Sequence, residues 1–321
     1  MIVARTPPKP GGGGSGPRGE PDKARPTAEI AIDADLVRRL LLAQHPDLAH
    51  LPLTGVGEGW DNAVFRLGDE LAIRLPRRSA TAPLMENEQR WLPELARRLP
   101  LPVPTPVRIG RPGAGFPWAW SIVRWFPGMA SFAAPPFDQR AVAIALGGFL
   151  RALHQPAPAD APHNPWRSLP LDARTKRLHE HLDQLHDTVN RERILALWDR
   201  LVVTPRWPGP PVWIHGDLHP GNLLIHDGAL SAVIDFGDVT CGDPATDLSV
   251  MWMLLPPDHR GALFEAAGRN RSNELDEQVW KRARGWALAI GVAVVALGHD
   301  GNSLAQLGKK TIAAALADGA D

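Results

Sequence analysis

HGDLHPGN (His215–Asn222) and IDFGD (Ile234–Asp238) place a carboxylate, an amide and a second carboxylate in fixed order, with an apolar span between them. Leu223-Leu224-Ile225 and Ser231-Ala232-Val233-Ile234 predict two short strands, and His226-Asp227-Gly228 predicts the tight turn that joins them. A hairpin returns the chain to its start. Asp235 is therefore expected beside Asp217 and Asn222, although the three are separated in sequence. A single Asp or Asn in such a place would be read as a turn residue. His-Gly-Asp, then Pro-Gly-Asn, then an apolar hairpin, then Asp-Phe-Gly is a combination that turn chemistry alone does not require.

Those side chains suit phosphoryl transfer from a nucleoside triphosphate. That reaction needs the triphosphate held by a divalent cation and an acceptor hydroxyl placed in line. Magnesium takes hard oxygen ligands and keeps several waters, so one carboxylate and one amide oxygen suffice from the protein; Asp235 and Asn222 fit. Asp217, upstream on the same loop, stands where a carboxylate would orient the hydroxyl or accept its proton.

On these residues the chain resembles the aminoglycoside phosphotransferase family. The resemblance implies a protein-kinase-like α+β fold in which a nucleotide-binding lobe, an antiparallel β-sheet with one main helix, precedes a larger and mainly helical lobe. It also implies that Asp217 is the catalytic aspartate, that Asn222 and Asp235 bind Mg2+, and that His215 braces the loop. GDPATDLS, Gly242–Ser249, looks like the family's helix start, with Asp243 as N-cap before Pro244. Asp247 is then expected to face back and bond the backbone of the catalytic loop as a scaffold residue. His219 receives no functional role and is expected to make a structural contact.

The amino-terminal half offers the matching parts in order. Thr54 to Asn62 is glycine-rich, and Gly57, Gly59 and Asn62 are candidates for the turn that lets backbone N–H groups approach phosphate. Ala63–Leu67 and Leu71–Leu75 follow as strands. Arg74 sits where kinase-like folds place a lysine on the nucleotide phosphates, a departure that keeps the charge and changes the geometry. Arg77 and Arg78 are read as solvated strand-end charges. Leu84–Arg98 has helical periodicity despite Pro93, and Glu88 is the chosen partner of Arg74, with Glu86 the alternative. Trp120–Phe126 is a strand ending at Pro127-Gly128. Backbone groups at Arg124, Trp125 and Phe126 are placed to hold a base edge, the alternative being a core strand.

The 321 residues suffice for one large domain or for two lobes with separate cores. We expect a Pro/Gly-rich disordered tail over 1–28, a nucleotide-binding lobe over 29–126 and a catalytic and acceptor-binding lobe over 127–321. Lysine plus arginine and aspartate plus glutamate each number 35, which gives no electrostatic case for a nucleic acid or membrane partner. The one cysteine, Cys241, rules out an internal disulfide framework and suits the cytoplasm. The apolar tract from Trp286 to Gly298 is short for a membrane span and reads as a buried helix. Helical patterns begin near Ala141 and extend over Asp172 to about Leu201. In that second segment His179, His181 and His186 are read as solvated rather than metal-binding.

The expected activity is ATP- or GTP-dependent, Mg2+-dependent phosphorylation of a hydroxylated small molecule. By resemblance that acceptor is an aminoglycoside or similar antibiotic, with resistance as the result. A cationic acceptor would call on Asp258, Glu265, Glu274, Asp276 and Glu277, and an apolar one on Trp252, Trp280 and Trp286. The alternatives are a metabolic kinase for an amino alcohol, sugar or amino-acid alcohol, and a nucleotide-binding scaffold without transfer, suggested by Arg74. The short run from Asp235 to Asp243 has no room for the extended activation segment of a protein kinase.

Overall fold

A computed structural model describes residues 26–298 and 303–318. It opens with α1 (Ala34–Gln44), whose Asp33 N-cap accepts a hydrogen bond from Leu36 N–H at 2.8 Å. Strands β1 (Leu53–Glu58), β2 (Asn62–Leu67) and β3 (Leu71–Pro76) follow, then α2 (Ala82–Leu95), β4 (Pro106–Gly110) and β5 (Trp120–Arg124). The five strands form one antiparallel sheet in the order β1-β2-β3-β5-β4. Alternation assigns its faces: Phe65, Ile73 and Ile122 pack with Leu36, Leu40 and Leu41 of α1. Val64, Ala72 and Val123 face the other way, as Arg74 must by the same alternation.

The carboxy-terminal part is mainly helical. It contains β6 (Met129–Ala130), α3 (Gln139–Leu153), α4 (Thr175–Leu185), α5 (Arg191–Val202), β7 (Val212–Ile214), β8 (Leu223–His226), β9 (Ala229–Val233) and β10 (Thr240–Gly242). Five helices close the chain: α6 (Ala245–Leu248), α7 (Val250–Leu254), α8 (Pro257–Ala266), α9 (Glu274–Leu297) and α10 (Ser303–Ala317). Their core includes Trp91, Leu92 and Leu95 of α2, and the Trp91 ring lies 5.0 Å from that of Trp213 on β7. The helix of the sheet region is thus locked into the core of the helical region. Trp286 is fully buried in α9, as the apolar tract suggested, and no helix among the described residues is long and apolar enough to cross a membrane.

Two expectations change. The segment from Asp172 to Leu201 is not one helix: His186 adopts φ 41°, which an α-helix cannot contain, and Asn190 caps a new helix by accepting from Arg193 N–H at 3.0 Å. Of the expected tail, residues 1–25 lie outside the described residues, whereas Pro26 to Glu29 belong to the sheet region. There Pro26 O accepts from Arg77 Nη1 and Glu29 N–H donates to Arg77 O.

Candidate active site

The predicted hairpin forms as read. Leu223 pairs with Val233 and His226 with Ala229, around Asp227-Gly228 with φ of 49° and 77°. Two consecutive positive φ values define the turn that matches strand twist. At the hairpin's open end Ile234 N–H donates to Asn222 O at 2.9 Å, which sets Asp235 one residue from Asn222 across the ladder. Asp235 has φ 66°, a left-handed conformation that costs a non-glycine residue about 1–3 kcal/mol. The surrounding bonds hold it there, with its carboxylate toward the cleft.

The loop before the hairpin is fixed from behind. Asp247, almost fully buried on α6, accepts from His215 N–H at 2.8 Å and Gly216 N–H at 2.9 Å, and its Oδ2 lies 3.1 Å from His154 Nε2. Gly216 has φ 83°, and a Cβ there would lie 2.4 Å from Asp238 O, so this position excludes every side chain. His215 accepts from Asp217 N–H through Nδ1 and reaches Ile234 O through Nε2, which assigns the ring proton to Nε2 and ties the two motifs together. Burial opposes the Asp247 charge, but the His154 hydrogen bond and the Gly216 N–H are among the contacts that outweigh it, holding its pKa below the usual carboxylate value.

Asp217 projects into the cleft, its side chain 35% exposed. The Asn222 amide nitrogen donates to Asp217 O at 2.9 Å, which fixes the orientation of the amide at the base of the loop. Burial would raise the Asp217 pKa, but Arg167 and then His219 reverse the effect and hold it well below the usual range. His219 Nδ1 accepts from Gly221 N–H and Nε2 lies 3.5 Å from Asp217 Oδ2, a structural contact that touches the carboxylate as well.

Arg74, 4% exposed, donates from Nη1 to both Glu88 oxygens at 2.9 and 2.7 Å and from Nη2 to Asp235 Oδ1 at 2.9 Å. Glu88, not Glu86, is therefore its partner. Burial works against the Arg74 charge, and Glu88 followed by Asp235 outweigh it, so the pKa is raised. Arg77 corrects the sequence reading: it is 4% exposed and donates to Gly59 O at 3.1 Å and Trp60 O at 3.4 Å, bracing the glycine-rich turn from beneath. Gly57, with φ 149°, lies at the irregularity in the β1–β2 register.

Two cavities meet at Asp235. The smaller is lined by Val64, Ala72, Val123 and Leu224 together with Arg74 and the predicted Arg124, Trp125 and Phe126. Trp125 N–H is already given to Glu70 O at 2.7 Å, so of the three backbone donors considered for a base edge this one is taken. The larger cavity, about 610 Å3, is of the size that takes a small-molecule ligand; Gly59, Asn62, Asp217 and Asp235 line it. Glu88, His215, Asn222 and Asp247 stand behind these walls.

Sequence reading missed Arg167, Asp238, Asn164 and Asp61. Arg167 bridges Asp217 at 2.5 Å and Asp238 at 3.3 Å, and Asn164 Nδ2 donates to Asp238 Oδ1 at 2.7 Å. Burial and then Asp235 and Asp238 raise the pKa of Asp61; burial and then Asp217, against Arg167, raise that of Asp238. Four carboxylates thus share one end of the cavity, and one arginine serves two of them. Among the described residues no cluster of three or more His, Cys, Asp or Glu could hold a metal. A cation here would rest on Asn222 and Asp235 with oxygens from its substrate and water, a hard-oxygen set that fits Mg2+.

A model of the phosphotransferase enzyme family (APH) matches residues 52–286. No curated protein matches the chain. Among solved structures, the GDP complex of wild-type aminoglycoside 2'-phosphotransferase-IIIa aligns with 18% identity and a TM-score of 0.63, over 88% of this chain and 98% of that one. A macrolide 2'-phosphotransferase from Brachybacterium faecium aligns with 20% identity and a TM-score of 0.57, over 89% and 99%. A type I macrolide 2'-phosphotransferase aligns with 22% identity and a TM-score of 0.58, over 91% and 98%. At such identities the likeness is one of fold.

Proposed function

The chain belongs to the phosphotransferase enzyme family, and from that premise we propose that it transfers the γ-phosphoryl group of ATP or GTP to a hydroxyl of a small molecule. The observation that carries this reading is the hairpin closure that sets Asn222 and Asp235 side by side with Asp217 on the adjoining loop. The division into a nucleotide lobe ending at residue 126 and an acceptor lobe from 127 follows the same reading.

The base enters the smaller cavity between Val64, Ala72, Val123 and Leu224, with Phe126 N–H at its edge. Gly59, Asn62 and Arg74 face the phosphates, and Glu88 holds Arg74 in place. Asn222 and Asp235 would hold Mg2+, which when bound neutralises charge on the phosphate oxygens. Asp217, kept ionised by Arg167, is a weak base, so its part is to orient the acceptor hydroxyl. The acceptor oxygen forms its bond to phosphorus as the bond to the bridging oxygen breaks; the nucleoside diphosphate leaves with that electron pair, and the hydroxyl proton passes late, through Asp217, to solvent.

The cavity wall speaks to the acceptor class. Of the acids considered for a cationic acceptor, none lines the cavity: Asp276 is taken by Arg269 and Glu277 by Arg271. Trp252, Trp280 and Trp286 are core residues rather than a pocket floor. If the natural acceptor is an antibiotic, its phosphorylation would confer resistance; a metabolic hydroxyl compound is the second reading, favoured by the arginines on the acceptor side. The test is nucleotide consumption with mass spectrometry for an added phosphoryl group, run across aminoglycosides, macrolides and hydroxylated metabolites. Transfer to one of them, lost in Asp217→Ala, is the expected result. Nucleotide binding with transfer to none would leave a nucleotide-binding scaffold instead.

A further inference from the structure

Beyond the acidic end, the larger cavity carries cations on one helical face. Arg174, Arg177 and His181 are spaced three and four apart along the start and body of α4, and all three line the cavity. Among the described residues neither arginine has a carboxylate at ion-pair distance. Arg174 is only 8% exposed, and its Nε is buried with no acceptor. Its guanidinium lies over the Trp286 ring at 5.3 Å, and that of Arg177 over Trp166 at 4.7 Å. The tryptophan faces attract both cations without supplying an acceptor oxygen. Burial, then the neighbouring Arg167 and Arg177, pull the Arg174 pKa down to about 10, the direction expected of a cation whose counter-charge is not in the protein.

The rest of this end is mostly apolar, with Met253 from α7, Ile290 and Val294 from α9, and Leu304 and Leu307 from α10; the hydroxyl-bearing Thr246 and Thr311 also line the cavity and bring no charge. Every acid that lines the cavity, Asp61, Asp217, Asp235 and Asp238, lies at the catalytic end. We propose that the acceptor is a hydroxylated molecule with an apolar body and an anionic group, carboxylate or phosphate monoester, which Arg174 and Arg177 hold while the hydroxyl faces Asp217. This rests on the phosphotransferase reading above. Arginine's planar fork matches both anions, and the unpaired, largely dry position of Arg174 makes such a contact stronger than at an open surface. A polycation would meet like charge on α4 and no carboxylate on the apolar wall.

Calorimetry on the full chain tests this without turnover, with octanoate, octyl phosphate, methyl octanoate and octylamine as probes. The two anions should bind about tenfold or more tightly than the ester and the amine. Arg177→Glu, at an exposed position, should abolish that preference and leave ATP affinity unchanged; Arg174→Gln should weaken both anions. Octanoate above octyl phosphate selects a carboxylate acceptor and the reverse order a phosphate monoester, and either supports the proposal. Equal binding of ester and anion, no binding of either anion, or indifference to Arg177→Glu would overturn it. A parallel loss of ATP affinity in Arg177→Glu would also overturn it, by assigning the arginines to the nucleotide. ω-Hydroxyoctanoate is the matching acceptor for mass spectrometry. Absent transfer to any acceptor, with the calorimetric preference intact, would count against the phosphotransferase reading and not against this one.

Discussion

Around Asp217 four carboxylates are served by three arginines, Arg167 for Asp217 and Asp238, Arg74 for Asp235 and Arg78 for Asp61, and the supporting loop has its backbone groups tied to Asp247, His215 and Asn222. Around Arg174 the charges run the other way: two arginines face an apolar wall with no carboxylate among the described residues. Both ends belong to one cleft, yet one is short of positive charge and the other of negative charge. A divalent cation carried in with a nucleotide would supply positive charge at the first. On the proposal above the second would hold the anionic group of an acceptor, so the contrast between the two ends corresponds to two binding partners.

The sharpest way to break the contrast is at its acidic end. Asp217→Asn keeps the shape and removes the charge that orients the hydroxyl, so turnover should fall about 10²–10⁴-fold. Arg167 retains Asp238, and nucleotide affinity should stay near that of the unaltered protein. Steady-state rates and nucleotide titration check both, and an Asn variant with full turnover would remove Asp217 from the chemistry.

Next in size is Glu88→Gln. It strands Arg74 in a buried position with Asp235 as its one remaining acid, and breaking a buried pair in this way costs about 3–5 kcal/mol. Urea denaturation should show that loss. A change below about 1 kcal/mol would mean that water already reaches Arg74, and the acidic end would then be less rigid than its bonds suggest.

How far each end was legible follows from how each is built. The catalytic loop and hairpin are contiguous, and Asp227-Gly228 is a turn signal with a mechanism, so Asn222 and Asp235 could be placed from sequence alone. Arg167 and Asn164 come from an irregular loop with no periodicity, and nothing in the sequence aligned them with Asp217. Arg77 was legible in principle: the alternation that turns Ile73 and Leu75 inward also turns Arg77 inward, but its acceptors come from a neighbouring turn and from Pro26, a residue read as tail. Arg174 and Arg177 lie in a segment, residues 160–201, that the family resemblance offered for the acceptor pocket, but neither could be singled out, because the wall opposite them is supplied by α9 and α10, more than a hundred residues away in sequence.

Asp247→Asn sharpens the comparison through pH. Its carboxylate accepts two backbone N–H groups and lies against His154, and charge-assisted bonds of this kind are each worth about 1.5–3 kcal/mol. Because the folded pKa is depressed, this stabilisation is present in full above the unfolded value of about 3.9 and is lost as pH falls through the folded value. The stability gap between Asp247→Asn and the unaltered protein should therefore be widest near about pH 7 and narrow progressively under acid. A gap that widened on acidification would reverse the assigned direction.

Arg174→Met should have the smallest effect on stability, and the sign is what matters. Where a charge already has its counter-ion, truncating one partner destabilises; where a buried cation lacks one, an apolar side chain of similar length removes a desolvation penalty. The stacking on Trp286 that is lost is worth about 0.5–2 kcal/mol, so the two terms nearly offset and the variant should lie within about 1 kcal/mol of the unaltered protein, on the stable side. Octanoate binding should be lost in the same variant. A protein that keeps its fold while losing that ligand would carry at Arg174 a residue retained for recognition, whereas a loss of stability comparable to Glu88→Gln would make the two ends of the cleft alike and Arg174 a structural residue.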